Sequence, residues 1–185
     1  MILILGVPGA GKSTVMKSVL SDKDLSEKYV RVSYGDYLEK EGIDRDKFRS
    51  YSIDEQQEFQ KKVFPQILKI ETNGKEIILD THAYIRTLEG FLPGLPSFSG
   101  LDPRRIILFN ASTDEIQKRI MNDPSRDRSD FIKNIDFVRD FAKRYSVAYS
   151  VYYSSPLTII DNSGNPEIAV EQVKTLLRKW CEGKT

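Results

Sequence analysis

The chain holds one cysteine, one histidine and one tryptophan among 185 residues. A lone Cys181 excludes an intrachain disulfide and a cysteine-built zinc centre, and with His82 as the sole histidine a transition-metal centre has no ligand set. Charge of one sign is lacking as well: 28 Lys and Arg face 27 Asp and Glu, a net +1, with no long basic run. That balance supplies no field to hold a nucleic acid. No stretch approaches the ~20 apolar residues a membrane helix needs. The first apolar run, Met1 to Leu5, is too short for an export signal and has no basic lead. Repeats and low-complexity tracts are absent. The expectation is a soluble, cytoplasmic protein, one domain of 1–185, with a core large enough to fold without staples.

What the chain does have is alternation. Short runs rich in Ile, Val and Leu predict strands at Ile2–Leu5, Tyr29–Ser33, Ile77–Leu79, Arg105–Phe109 and Leu157–Ile160. Helical spacing fills the gaps. It covers Ser13–Ser21, then Ser52–Thr72 with a Ser52/Glu55 capping box, a kink at Pro65 and a stop at Asn73-Gly74. A second capping box, Ser112/Glu115, opens a helix to about Asn122, Asp130–Ser155 reads as one long helix, and Asn165-Pro166 starts the last. The fold class expected is α/β, a five-stranded parallel sheet with helices on both faces. Thr81–Pro103, containing "GFLPGLP", is too long for an ordinary connection, and such loops are usually functional or disordered.

The opening "MILILGVPGAGKST" contains G-x-x-x-x-G-K-[ST], from Gly6 to Ser13. Glycines let the backbone curl so that successive N–H groups face an anion. The helix that follows turns its positive end on the same anion. Gly6, Pro8, Gly9, Ala10, Gly11, Lys12, Ser13 and Thr14 are therefore the candidate phosphate cradle. Lys12 adds a point charge, and the Ser13 hydroxyl suits Mg²⁺, a hard cation. A glycine turn that matches by chance is disfavoured by the strand before it and the helix after. The ligand expected is ATP or another nucleoside triphosphate with Mg²⁺. "EIILD" ends a hydrophobic strand in Asp80, the carboxylate placement P-loop proteins use near the metal. No N-K-x-D guanine motif occurs, which weighs against a GTPase switch.

Phosphoryl transfer between polyanions needs fixed positive charge and exclusion of water. Arg119 lies on the helix after the fourth strand, and "DPSRDRSD" carries Arg126 and Arg128 in a turn suited to a lid over about 122–130. A solvated loop with local ion pairs is the plainer alternative. Arg86 and Arg49 are candidates for an acceptor phosphate, with Asp36 beside them in an acceptor arm over about 34–70. His82 fits a structural role better than a general base, because an ionised phosphate acceptor needs no base. Tyr145, Tyr149, Tyr152 and Tyr153 fit a packed stripe better than a base-stacking platform. Trp180 should pack the last helix on the sheet.

Taken in order, "GVPGAGKST", "YGDY", "ILDTHAYIRT", "GFLPGLPS" and "DPSRDRSD" resemble the archaeal-type adenylate kinases over essentially the whole chain. The resemblance implies a P-loop nucleoside monophosphate kinase fold with lid and acceptor-binding arm, and the reaction ATP + AMP ⇌ 2 ADP with Mg²⁺. It implies that Gly9 to Thr14 cradle ATP, that Asp80 and Ser13 attend the metal, and that Arg86 grips the AMP phosphate. Arg119, Arg126 and Arg128 would close on the transferring group. Members of this type often form trimers, which makes a homotrimer one expected assembly. The segment joining "YGDYLEKEGI" to "RDKF" is shorter than in the family, and the lid carries Ser125 and Asp127 in place of Thr and Asn. Two alternatives stay open on the residues: a kinase of CMP or a small alcohol, with Asp36 taking the alcohol proton, and a P-loop ATPase acting as an assembly or regulatory factor.

Overall fold

The computed structural model describes residues 1–44, 47, 50–87, 89–123 and 129–183, with backbone only at 129–130. Five strands form the main sheet: β1 (Ile2–Gly6), β2 (Tyr29–Ser33), β3 (Glu76–Asp80), β6 (Arg105–Asn110) and β7 (Leu157–Asp161). All pair in parallel, in the order β2-β3-β1-β6-β7. The five strands expected from the sequence are all present, each within a residue of its expected ends. β1 is central and Ile2 to Leu5 are completely buried, so both faces of the sheet are covered. The apolar runs required this, because a strand covered on both faces has no polar side to show. The connection from β1 leads out to β2 and back through β3, then crosses to β6 on the other side. That reversal opens a crevice at the carboxyl end of β1, the usual ligand position of an open α/β sheet.

Helix α1 (Lys12–Val19) packs on α8 (Pro166–Glu182), and the short α2 (Lys23–Lys28) joins them. Helix α7 (Ile135–Tyr152) lies against β1, β6 and β7 and carries α5 (Thr113–Met121). Beyond β2, α3 (Tyr34–Lys40) packs on α4 (Ile53–Leu68). Neither α2 nor α3 was expected. Both are short and rely on side-chain caps, Asp22 accepting from Leu25 N and Ser33 from Asp36 N.

Two expectations are corrected. α4 begins with the predicted Ser52/Glu55 capping box but ends at Leu68, four residues before Thr72. Its end tightens through bonds from Lys69 N to Gln66 O and Ile70 N to Ile67 O, and the chain then turns at Asn73 and Gly74, both at positive φ. α4 is helical across Pro65, which sits on its exposed side, where water can serve the carbonyl left without a donor. The helix expected over 130–155 is two: α6 (Ser129–Ile132), then α7 after Asn134 at φ −135°. Phe131 and Ile135 on either side of the break are both buried, and asparagine readily leaves the helical conformation. Within the long Thr81–Pro103 segment, β4 (Tyr84–Arg86) pairs antiparallel with β5 (Phe91–Pro93) as a hairpin.

Aromatic packing fixes that hairpin. The Tyr84 ring lies 5.0 Å from Phe141 and 5.6 Å from Tyr145, and Phe91 lies 4.4 Å from Phe141. Tyr149 donates to Ala83 O at 2.7 Å and accepts from Leu95 N at 3.0 Å. Tyr145 and Tyr149 are thus the packed stripe expected, whereas Tyr152 is exposed. On α8, Trp180 is partly buried against the core with the Arg105 guanidinium 4.8 Å from its ring.

Burial pushes the hydroxyls of Tyr34 and Tyr149 well above their ordinary value of 10. Above that value the unfolded chain releases these protons and the folded chain keeps them, so stability holds up to about pH 10 and falls beyond it. Urea unfolding between pH 8 and 11 checks this. Tyr149→Phe should lose about 1–3 kcal/mol at pH 8, from the Leu95 N–H left unpaired and the lost bond to Ala83 O, which keeps only its bond from Gly94 N. Its decline above pH 10 should be shallower by about 1.4 kcal/mol per pH unit. Equal slopes for the two proteins would contradict the burial assignment.

Candidate active site

At the crevice β1 ends in Gly6 and the chain turns through Val7 to Ala10 into α1. Gly9 and Gly11 sit at φ +79° and +85°, the left-handed region that only glycine enters cheaply. A Cβ on Gly11 would also lie 2.2 Å from Asn162 Nδ2. Three of the loop's carbonyls are tied by side chains. Lys12 Nζ donates to Gly6 O at 2.6 Å, Arg119 Nη1 to Gly9 O at 3.3 Å, and Asn162 Nδ2 to Ala10 O at 3.0 Å. Fixing a carbonyl fixes the peptide plane, and with it the direction of the neighbouring N–H. The cradle is therefore held in shape before any anion arrives.

Arg119 does more than the sequence implied. Its Nε pairs with Glu115 Oε1 at 2.9 Å and its Nη2 donates to Asn162 O at 2.8 Å, so three of its five donors brace protein. This also explains why the second expected capping box is only half formed. Ser112 Oγ accepts from Glu115 N, but the Glu115 carboxylate goes to Arg119, and Ser112 N donates to Ser163 Oγ instead.

At the end of β3, Asp80 is 8% exposed. Arg31, reaching over from β2, donates from Nε to Asp80 Oδ2 at 3.2 Å, and its Nη2 bonds the same carboxylate oxygen. That Nη2 also donates to Ser13 Oγ at 3.1 Å. The two oxygens expected to attend Mg²⁺ thus already converge on one positive centre. An oxygen-only pair of hydroxyl and carboxylate fits a hard divalent cation. Thr81, next in the chain, is buried with its hydroxyl lacking a partner among the described residues, a cost unless water or ligand meets it.

The crevice is an open cleft of about 800 Å³. Gly6, Pro8, Gly9, Gly11, Lys12, Ser13 and Thr14 line it, and so do Asp80, Arg119, Arg86 and Asp36. Ala10 is buried behind the loop. His82 lines the cleft as well, and its backbone sets the hairpin: a Cβ on Gly94 would fall 1.8 Å from His82 O. Gln60 of α4 donates to Pro93 O at 2.8 Å and ties the hairpin from the other side. Arg49, Arg126 and Arg128 lie outside the described residues.

Sequence reasoning missed Arg31, Asn162 and Arg139. Arg139 reaches from α7 to Asn110 Oδ1 at 3.4 Å and Thr113 Oγ1 at 2.7 Å, bracing the start of α5. Arg31 had a signal: a charged residue inside "YVRVS", a strand otherwise read as buried. Asn162 follows the last strand and looks like any turn asparagine.

A parallel sheet with a braced P-loop and a strand-end carboxylate at the switch point defines a P-loop nucleotide-binding protein. A family model described as an AAA domain matches residues 5–137. Relatives extend further. The chain is 31% identical to the adenylate kinase of Methanothermobacter thermautotrophicus over 95% of its own length and 98% of the relative's. It is 35% identical to that of Saccharolobus solfataricus, covering 92% and 95%, and 33% to that of Thermococcus kodakarensis, covering 95% and 94%. The chain belongs to the adenylate kinase family, as the motif resemblance implied.

Asn162→Ala should leave the Ala10 carbonyl unpaired and cost about 1–3 kcal/mol, read as a thermal midpoint lower by roughly 2–10 °C. ADP binding by calorimetry should weaken in parallel. Unchanged stability and ADP affinity would show that the cradle does not need this tie.

Proposed function

We infer that the chain transfers the γ-phosphoryl group of ATP to AMP, giving two ADP. The observation that carries this reading is one shared cleft, lined both by a pre-formed phosphate cradle and by an arginine on a hairpin. Mg²⁺, held near Ser13 and Asp80, would neutralise charge on the donor phosphates. Lys12 meets the terminal phosphates, and Arg86, with Asp36 and Arg49 in an acceptor arm over about 34–70, orients the AMP phosphate. An AMP oxygen attacks the γ-phosphorus in line, the bond to the β-phosphate oxygen breaks, and ADP leaves. The acceptor oxygen is already ionised, so no base takes part. The lid over about 122–130 brings Arg126 and Arg128 onto the transferring group beside Arg119 and excludes water. Catalysis is positioning and charge neutralisation without a covalent intermediate.

Among the described residues no helix is long and apolar enough to cross a membrane, and the reading places the enzyme in the cytoplasm. A homotrimer belongs to the same reading, with Phe137, Val147 and Val151 of α7 as exposed apolar area for contact, and mass in solution decides it.

The test is incubation with Mg²⁺ and ATP, alone and with AMP, CMP, UMP, GMP or shikimate, following ADP and the phosphorylated product. Fast ADP formation with AMP alone is expected. Arg86→Ala should raise KM for AMP about 10–100-fold, the loss of one charged contact, with KM for ATP little changed. Arg128→Ala should lower kcat on the order of 10²–10³-fold. Preference for another acceptor would overturn the AMP assignment. Slow ATP loss with no transfer would favour the regulatory ATPase.

A further inference from the structure

Nothing in the expected chemistry requires an arginine between Ser13 and Asp80, yet Arg31 stands there. Its Nη2 contacts Ser13 Oγ at 3.1 Å and the Asp80 carboxylate, and its Nε adds a second bond to Asp80 at 3.2 Å. Asp80 is nearly buried, with 9% of its side chain exposed, so its charge needs a partner. Arg31 supplies that partner from the edge strand β2, and its own side chain is 29% exposed, leaving it a route outward.

We propose that Arg31 is a built-in stand-in for the divalent cation, holding Ser13 and Asp80 together in the empty enzyme and displaced when a metal–nucleotide binds. The proposal rests on the reading of Ser13 and Asp80 as the Mg²⁺ position. Two positive centres a few ångströms apart in a partly desolvated cleft repel strongly, so guanidinium and metal exclude one another. Free Mg²⁺ meets a site already neutralised. A metal–nucleotide brings phosphate oxygens of its own and extra contacts to the P-loop, and these together outweigh the lost arginine bonds. The consequence is coupling: metal and nucleotide enter as a pair, and Arg31 offsets part of what the metal contributes to binding.

Arg31→Gln keeps polarity and length while removing the charge. The first readout is the ratio of ADP dissociation constants without and with Mg²⁺, measured by calorimetry on the full chain. This ratio should rise about five- to tenfold in the variant, because metal no longer has to displace a cation. The second is thermal stability. The metal-free variant should melt roughly 2–6 °C below the parent chain, and saturating Mg²⁺ with ADP should close most of that gap. An arginine that only braces the fold would lower both melting points equally and leave the ratio unchanged, and that result overturns the proposal. If Mg²⁺ alters ADP affinity in neither protein, the metal position at Ser13 and Asp80 fails, and the proposal with it. Should Arg31→Gln not fold, Arg31→Lys retains charge but cannot fork onto both oxygens. It should then show a smaller rise in the same ratio, and no rise would contradict the proposal.

Discussion

A turn that binds phosphate through its backbone must hold its peptide planes against the repulsion of its own dipoles. Here three side chains do this, one local and two from distant parts of the sequence: Lys12 on Gly6, Arg119 on Gly9 and Asn162 on Ala10. The ties explain much of the surrounding architecture. Asn162 stands where β7 ends, so β7 must lie in register with β6, and β6 with β1. Arg119 reaches the loop because α5 is capped at Ser112 and braced by Arg139 from α7. Gly11 is a glycine partly because Asn162 occupies the space a side chain would need.

The hairpin that carries Arg86 is built differently. Arg86 sits on a three-residue strand, too short to be stable by its own ladder. Its rigidity is borrowed from rings: Tyr84 and Phe91 interlock with Phe141 and Tyr145, and Tyr149 bonds both Ala83 and Leu95. A loop fixed by hydrogen bonds and a hairpin fixed by aromatic packing line the same cleft as Asp80, whose charge Arg31 balances.

Much of this was legible beforehand. The five strands announce themselves because buried parallel strands carry unbroken Ile, Val and Leu, and the P-loop because few backbones can curl around phosphate without those glycines. The "GFLPGLPS" segment was visible as unusual, but its hairpin depends on rings from α7 some 50 residues away, which no local pattern reveals. Arg31 and Asn162 were missed for a related reason. Their roles depend on strand order, which brings β2 beside β3 and β7's end beneath the loop, and strand order is a property of the folded sheet. The break before α7 escaped because Phe131 and Ile135 keep helical spacing across it.

The central claim is that one cleft holds donor and acceptor together. Calorimetric titration of AMP into the chain saturated with Mg²⁺ and a non-hydrolysable ATP analogue tests it most directly. The account predicts one AMP bound per chain, with the analogue still in place. AMP that binds only by displacing the analogue, or not at all, would contradict a two-nucleotide site.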